Sequence, residues 1–318
     1  MKKSLLTVAI FSASLSMFAQ QDPQMSFWMF DKQSFNPAAA GIDKMHCASL
    51  FYRDQWDGFD RDPKTTMFNY SGNAMAGKTE LGYGMTFFND VLGQEKNNVF
   101  RGQIAPKFDL NGHTLSIGLN FGILNKKLGA NWVFIDQGDG SIPTKETAQT
   151  AVDVGFGAMI YQPNKYYFGV SAQHLTAPEL DDLYFKSARH VYVMGGYEFP
   201  LSSSPIVIRT NALVKTDLAA TPAIDLNANA LYDNMVFGGV SFRPGDAITP
   251  MAGFQMMFSD IVNGRTTYQH GIRLGYAYDV TTSEIRNYSS GSHELFVTYC
   301  FDIETLPMRI RHNDPRFL

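Results

Sequence analysis

At 318 residues, with a formal net charge of −4 and no Lys/Arg cluster, the chain lacks the basic surface that nucleic-acid binding requires, which excludes that class of partner. Aromatic residues make up 14%, with 25 Phe, 15 Tyr and 27 Gly, and the mean hydropathy of −0.16 is too low for a bundle of membrane helices. This balance suits an exported β-barrel, whose strands alternate lipid-facing and lumen-facing residues.

The chain opens with Lys2 and Lys3, an apolar run from Leu5 to Phe18, and the small residue Ala19, the pattern of a secretory signal peptide over residues 1–19. The run is about 14 residues, short of the roughly 20 that a spanning helix needs. No Cys follows it, so a lipidated amino terminus is not expected. Residues 20–45 are too irregular for strands and are expected to form a periplasmic amino-terminal segment or a plug.

Fourteen segments of strand length follow, at residues 46–53, 64–74, 80–90, 98–110, 113–124, 150–161, 165–175, 190–199, 205–215, 223–232, 235–243, 248–258, 269–279 and 292–301. Alternation is clearest in the fifth, where Leu115, Ile117, Leu119, Phe121 and Ile123 share one face and Ser116, Gly118, Asn120 and Gly122 the other. The predicted fold is all-β: a transmembrane antiparallel barrel over residues 46–301, with a short periplasmic tail at 302–318. An even strand count returns both ends to the periplasm. Asn111-Gly112 and Asp233-Asn234 mark tight periplasmic turns, and the longer connections, among them 125–149, the longest, and the polar 280–291, fall on the opposite, extracellular side. A secreted soluble β protein is the competing fold, but it would bury this many apolar faces against one another.

No catalytic, cofactor-binding or metal-binding constellation is legible. Ser292, His293 and Glu294 are adjacent in sequence, yet neighbours on a strand point to opposite faces, so they do not make a triad. His174 and His190 read as isolated rim residues, and Asp136, Asp139 and Glu146 fit no calcium loop. Trp56 reads as an aromatic anchor at the membrane edge. Arg101, Lys107, Asp109, Arg209, Lys215, Arg273 and Asp279 fall on the lumen-facing parity, where charges need partners or water. Cys47 and Cys300 lie near the periplasmic ends of the first and last strands with the same inward parity. Two free buried thiols are the default reading, and a disulfide across the barrel seam is the sharper alternative that this placement in an oxidising compartment permits.

Several motifs carry a resemblance: Gln21-Asp22-Pro23-Gln24, Asn36-Pro37-Ala38, Arg53-x-Gln55-Trp56-x-Gly58, Phe87-Phe88-Asn89-Asp90, Arg243-Pro244-Gly245-Asp246-Ala247 and Gly291-Ser292-His293-Glu294. Over nearly the whole mature chain the sequence resembles the PorP/SprF family of outer-membrane proteins associated with type IX secretion. Asp31-Lys32-Gln33 departs from the family's more usual Asn-Pro opening. The resemblance implies a non-enzymatic outer-membrane component of the secretion and gliding machinery. Its partners, besides outer-membrane lipid, would be a secreted adhesin or its carboxy-terminal domain, or a periplasmic lipoprotein or peptidoglycan-binding subunit. The alternative is a diffusion channel for small solutes or hydrophobic compounds.

Overall fold

The computed structural model describes residues 22–130, 132, 145–183, 185–262 and 265–302. The predicted signal peptide, Gln20, Gln21, Asp136, Asp139 and the tail from residue 303 lie outside these described residues. The strands are β1 (His46–Asp54), β2 (Lys64–Ala76), β3 (Thr79–Leu92), β4 (Glu95–Leu110), β5 (His113–Leu128), β6 (Thr147–Gln162), β7 (Tyr166–Gln173), β8 (Glu179–Leu180), β9 (Phe185–Lys186), β10 (His190–Pro200), β11 (Ile206–Thr216), β12 (Ala223–Tyr232), β13 (Val236–Arg243), β14 (Ala247–Val262), β15 (Arg265–Thr281) and β16 (Ser292–Phe301). All but β8 and β9 join one closed barrel of 14 antiparallel strands, in which β16 returns to pair with β1. Closure leaves no unpaired edge, the condition for a sheet that crosses a bilayer.

Each of the 14 expected segments matches one barrel strand. Two differences stand out. The β14–β15 hairpin runs further than alternation suggests, pairing Ser259 with Gln269 and continuing past a register shift at Asp260/Ile261; that irregularity interrupts the two-residue rhythm. The small β8–β9 hairpin, only two residues per strand, sits inside the connection from β7 to β10 and is too short to leave a periodic trace.

Side-chain alternation follows the expected parity. On β5, Ser116, Gly118, Asn120 and Gly122 are buried while Ile117, Leu119, Phe121 and Ile123 are exposed. Phe121 stands 63% exposed, apolar surface that only lipid would cover favourably. The turns Asn111-Gly112 and Asp233-Asn234 all have positive φ, as tight hairpins require. They belong to a short-turn rim. The opposite, long-loop rim carries connections 55–63, 129–146, 174–189, 217–222 and 282–291, together with tight turns at 93–94 and 244–246.

The lumen is occupied by the chain's own amino-terminal part. After an irregular start, a one-turn helix α1 (Lys32–Phe35) is followed by a 3-10 turn at Pro37–Ala39. Asn36 separates them because it accepts the Ala38 N–H at 2.9 Å on its side chain, and Pro37 takes a first-turn position where its missing N–H is not needed. Met25, Phe27, Trp28, Met29, Phe35, Ala38 and Ala39 form one buried cluster with inward residues of the wall, including Phe51, Tyr192, Phe237 and Phe296. Phe27 and Trp28 are 0% and 1% exposed. Phe296 gathers the rings, with Phe27 at 4.6 Å edge-on and Phe51 at 5.4 Å stacked across the seam. Such pairs add about 0.5–1.5 kcal/mol each beyond burial.

The path of this segment is set by contacts to the wall at both of its ends. Gln24 bonds to Asp225 and Lys215 and Ser26 to Glu294 and Asp279, all inward residues next to the long-loop rim. Gly41 is held by Asn73 and Lys107 near the short-turn rim. Residues 22–45 therefore traverse the lumen from one rim to the other before β1 begins. The cause is chemical: inward polar groups at the long-loop end offer the segment's backbone and side chains partners that a lumen excluding water would otherwise leave unmet.

Candidate functional site

The densest constellation joins the start of the lumenal segment to the barrel seam. Arg53, next to the end of β1, donates from Nη2 to Asp279 Oδ2 at 2.6 Å and from Nη1 to Glu294 Oε2 at 3.1 Å, with the Arg53 and Asp279 side chains each 2% exposed. Arg243 at the end of β13 donates to the same Asp279 oxygen, and Thr249 donates to Asp279 Oδ1 at 2.7 Å. Arg243 also donates to Asp246 Oδ2 at 2.7 Å, so each charge of this pocket faces an opposite one, as burying it requires.

Into this cluster the segment inserts Ser26 and Phe27. Their backbone N–H groups donate to Glu294 Oε2 at 2.6 Å and Oε1 at 2.9 Å. Ser26 Oγ donates to Asp279 Oδ1 at 2.8 Å and accepts from Arg53 at 2.8 Å and Arg243 at 3.3 Å. Charge-assisted bonds of this kind are about twice as strong as neutral ones, so the pocket works as a latch.

Two of the sequence motifs, far apart in the chain, meet here. β1 and β16 pair in the register Arg53↔Glu294. Beyond them, Asp57 N–H donates to the Gly291 carbonyl at 2.8 Å and Ser290 N–H to the Asp57 carbonyl at 2.7 Å, and Trp56 N–H donates to Ser292 Oγ at 3.0 Å. Gln55 N–H closes its loop on the Pro63 carbonyl at 2.9 Å. Gly58 (φ +104°) lies against Ser290 and Gly291 has φ +100°, a backbone region that glycine enters without strain. Trp56 is half-buried in this loop pair. His293 faces away from Ser292 and Glu294, sharing a 2.7 Å hydrogen bond with Tyr276.

Asn36 makes the second attachment, donating to the carbonyls of Ala158 at 3.2 Å and Val170 at 3.3 Å. Close approach depends on glycine. A Cβ on Gly157 would overlap the Asn36 side chain, and one on Gly118 would overlap the backbone of Pro37 and Ala38. Deeper still, Asp31 accepts from Asn69 at 2.6 Å. Burial pushes its carboxyl up to about 8, against the opposing effect of hydrogen bonds from Ser34.

The remaining sequence-marked residues separate. Cys47 and Cys300 are directly paired across the seam, Cα atoms 4.0 Å apart, with their sulfurs joined. Pro23 lines two small cavities beside Asp22, and Pro37 of the lumenal segment is buried against Gly118 and Gly157 of the wall. Arg101, Lys107 and Asp279 are buried inside, whereas Asp109 is exposed past the end of the lumen and accepts the Gly112 N–H at 3.1 Å. Glu146 pairs with Lys127 at 3.7 Å in the open. Sequence reasoning missed the joint role of Ser26, Arg53, Arg243, Asp279 and Glu294. The available signal was inward parity combined with position near one rim.

His174 and His190 are also not isolated. Asp22 lies between them, with His174 Nε2 at 2.9 Å from its Oδ1. Burial pushes the His174 ring down, but the Asp22 and Asp153 carboxylates outweigh it and raise the ring to about 9. Burial likewise pushes Asp22 up, and the His174 charge and hydrogen bond, with the charge of Arg101, hold it well below the usual carboxylate range.

Toward the short-turn rim the lumen keeps one large cavity of about 610 Å³, bordered by Lys32, Tyr167, Glu198, Arg209 and Arg273. Phe30, with Arg209 and Arg273 at 5.4 and 5.2 Å from its ring centre, closes its inner end.

No curated relative matches the sequence. Among solved structures, the chain is similar to a Pseudomonas aeruginosa FadL homologue (TM-score 0.52, 12% identity, covering 84% of this chain and 92% of that one). It is also similar to the CymD monoaromatic hydrocarbon channel (TM-score 0.50, 10% identity, 85% and 91%). At these identities the likeness concerns the outer-membrane barrel fold. A family model matches residues 17–299, most of the chain, and with the closed barrel identifies it as a member of the PorP/SprF family of type IX secretion system membrane proteins.

Proposed function

We propose that this outer-membrane barrel serves type IX secretion as a closed, non-catalytic docking platform, aiding export of secreted proteins or holding them at the cell surface. The observation that carries this reading is the latched lumenal segment. A diffusion channel needs an unobstructed lumen, and here Phe27, Trp28 and the Arg53–Asp279–Glu294 cluster fill it at the long-loop end. Substrate passage through such a barrel would require the latch to open, whereas docking on its rims would not.

The partners fall to the two rims. The long-loop rim, taken as extracellular, suits a secreted adhesin or its carboxy-terminal domain. The short-turn rim, with its cavity, suits a periplasmic lipoprotein or peptidoglycan-binding subunit. Export with removal of residues 1–19 completes the reading. The test is a mild-detergent pull-down of tagged protein from native outer membranes, with co-purified chains identified by mass spectrometry. Recovery of a large secreted protein supports surface anchoring, and recovery of periplasmic machine subunits supports a place in the secretion complex. Recovery of neither, together with steady conductance in planar bilayers, overturns the docking reading in favour of a channel.

A further inference from the structure

Asp22, the first described residue, meets two histidines brought together from either end of the β7–β10 connection. His174 directly follows β7 and His190 opens β10; a carboxylate oxygen of Asp22 and one ring nitrogen of each histidine all lie within 4.8 Å of one another. The two imidazoles are differently supported. His174 turns Nδ1 toward Asp153 Oδ2 on β6 at 2.8 Å. His190 places Nδ1 3.1 Å from the Ala188 carbonyl. Because a carbonyl only accepts, that nitrogen carries the proton, and the neutral ring keeps its lone pair on Nε2. His190 Nε2 is buried with no hydrogen-bond partner, in a residue only 6% exposed.

This is the arrangement metal-binding histidines adopt: the second ring nitrogen goes to a carboxylate or a backbone carbonyl, fixing the tautomer and aiming the other nitrogen at the ion. Asp153 and the Ala188 carbonyl occupy those two supporting places. The third donor is positioned as well, since the Tyr192 hydroxyl donates to Asp22 Oδ2 at 2.6 Å and leaves Oδ1 toward the histidines. Two imidazole nitrogens and one carboxylate oxygen suit zinc and neighbouring transition metals rather than magnesium or calcium, which favour all-oxygen shells. Cavities of about 30 and 50 Å³ adjoin Asp22, each above the ~10–15 Å³ that one water needs, so a water can complete a fourth position.

We propose that Asp22, His174 and His190 bind a divalent transition metal of the zinc class, stapling the start of the lumenal segment to the long-loop rim. Arg101 is the competing cation, with Nη2 3.3 Å from His174 Nε2 and 3.9 Å from Asp153 Oδ2. On loading, His174 releases the proton it shares with Asp22 to solvent, and the Arg101 guanidinium retains Asp153 alone.

The test uses tag-free full-length protein in detergent, stripped with chelator and titrated with Co²⁺, then Zn²⁺. One Co²⁺ per chain, with the visible absorption of a four-coordinate site and displacement by Zn²⁺, is expected. His190→Gln and Asp22→Asn should each weaken binding at least tenfold while the barrel keeps its heat-dependent gel mobility. If His190→Gln does not fold, Asp22→Asn near the chain's start decides alone. Absence of stoichiometric metal would overturn the proposal and leave a protonated His174 bridging two carboxylates; binding unchanged in the folded variants would overturn it as well, by placing the metal elsewhere.

Discussion

Glu294 on the last strand accepts the backbone N–H of Ser26 at 2.6 Å while bonding Arg53 of the first strand at 3.1 Å. One carboxylate therefore ties the lumenal segment to both sides of the barrel seam. Removing it leaves the Arg53 charge partly unpaired, and breaking a buried pair costs about 3–5 kcal/mol. Glu294→Ala should lower the unfolding midpoint in detergent markedly and expose residues 22–45 to protease. Glu294→Gln, which keeps an acceptor for one N–H but loses the charge, should fall between. Equal protease resistance in all three proteins would show that the latch does not hold the segment.

Glycine at the wall is the second expectation. Gly157→Leu, opposite Asn36, should dislodge the segment while the barrel still forms, because the outer face and the strand hydrogen bonds are untouched. Gly102→Ala serves as the control, since nothing lies within 4 Å of a Cβ there. Limited proteolysis separates the two: faster cleavage within residues 22–45 for Gly157→Leu, and wild-type cleavage for Gly102→Ala.

The Cys47–Cys300 bridge, proposed here for the exported protein, joins chain positions 253 residues apart. Disulfides over long loops typically contribute about 2–4 kcal/mol, although continuous β1–β16 pairing keeps the seam closed without it. Thiol counting in denaturant should find no free thiol before reduction and two after, and Cys47→Ser with Cys300→Ser should unfold at lower temperature. Two thiols titrating before reduction would contradict the bridge.

The buried Asp31 gives a pH dependence with a definite sign. Its folded value of about 8 stands above the ordinary 3.8, so the folded state binds the proton more tightly. Its contribution to stability is full below about 4 and is lost as pH rises through about 8. Stability of the inserted segment should fall across that window in wild type, and Asp31→Asn should flatten the dependence. Denaturation midpoints taken from pH 5 to 9 decide it, and identical slopes for the two proteins would contradict the assignment.

Much of this architecture is legible in sequence because membrane strands carry a local signal. Every inward residue on β5, and the shared parity of Cys47 and Cys300, follows from a period of two along a short stretch. The lumenal segment is different. Ser26 meets Glu294 across 268 positions and Gln24 meets Asp225 across 201, contacts that leave no periodic trace. Its composition hinted at a plug, but not at its direction through the barrel. His174 and His190 looked solitary for the same reason: their common neighbour, Asp22, lies more than 150 residues earlier.

The most direct test of a closed docking barrel is conductance of the purified wild-type protein in planar bilayers beside Gly157→Leu. The account predicts a silent wild type and step-like conductance once the segment is dislodged. Steady open-channel current from the wild type, unchanged in the variant, would contradict it.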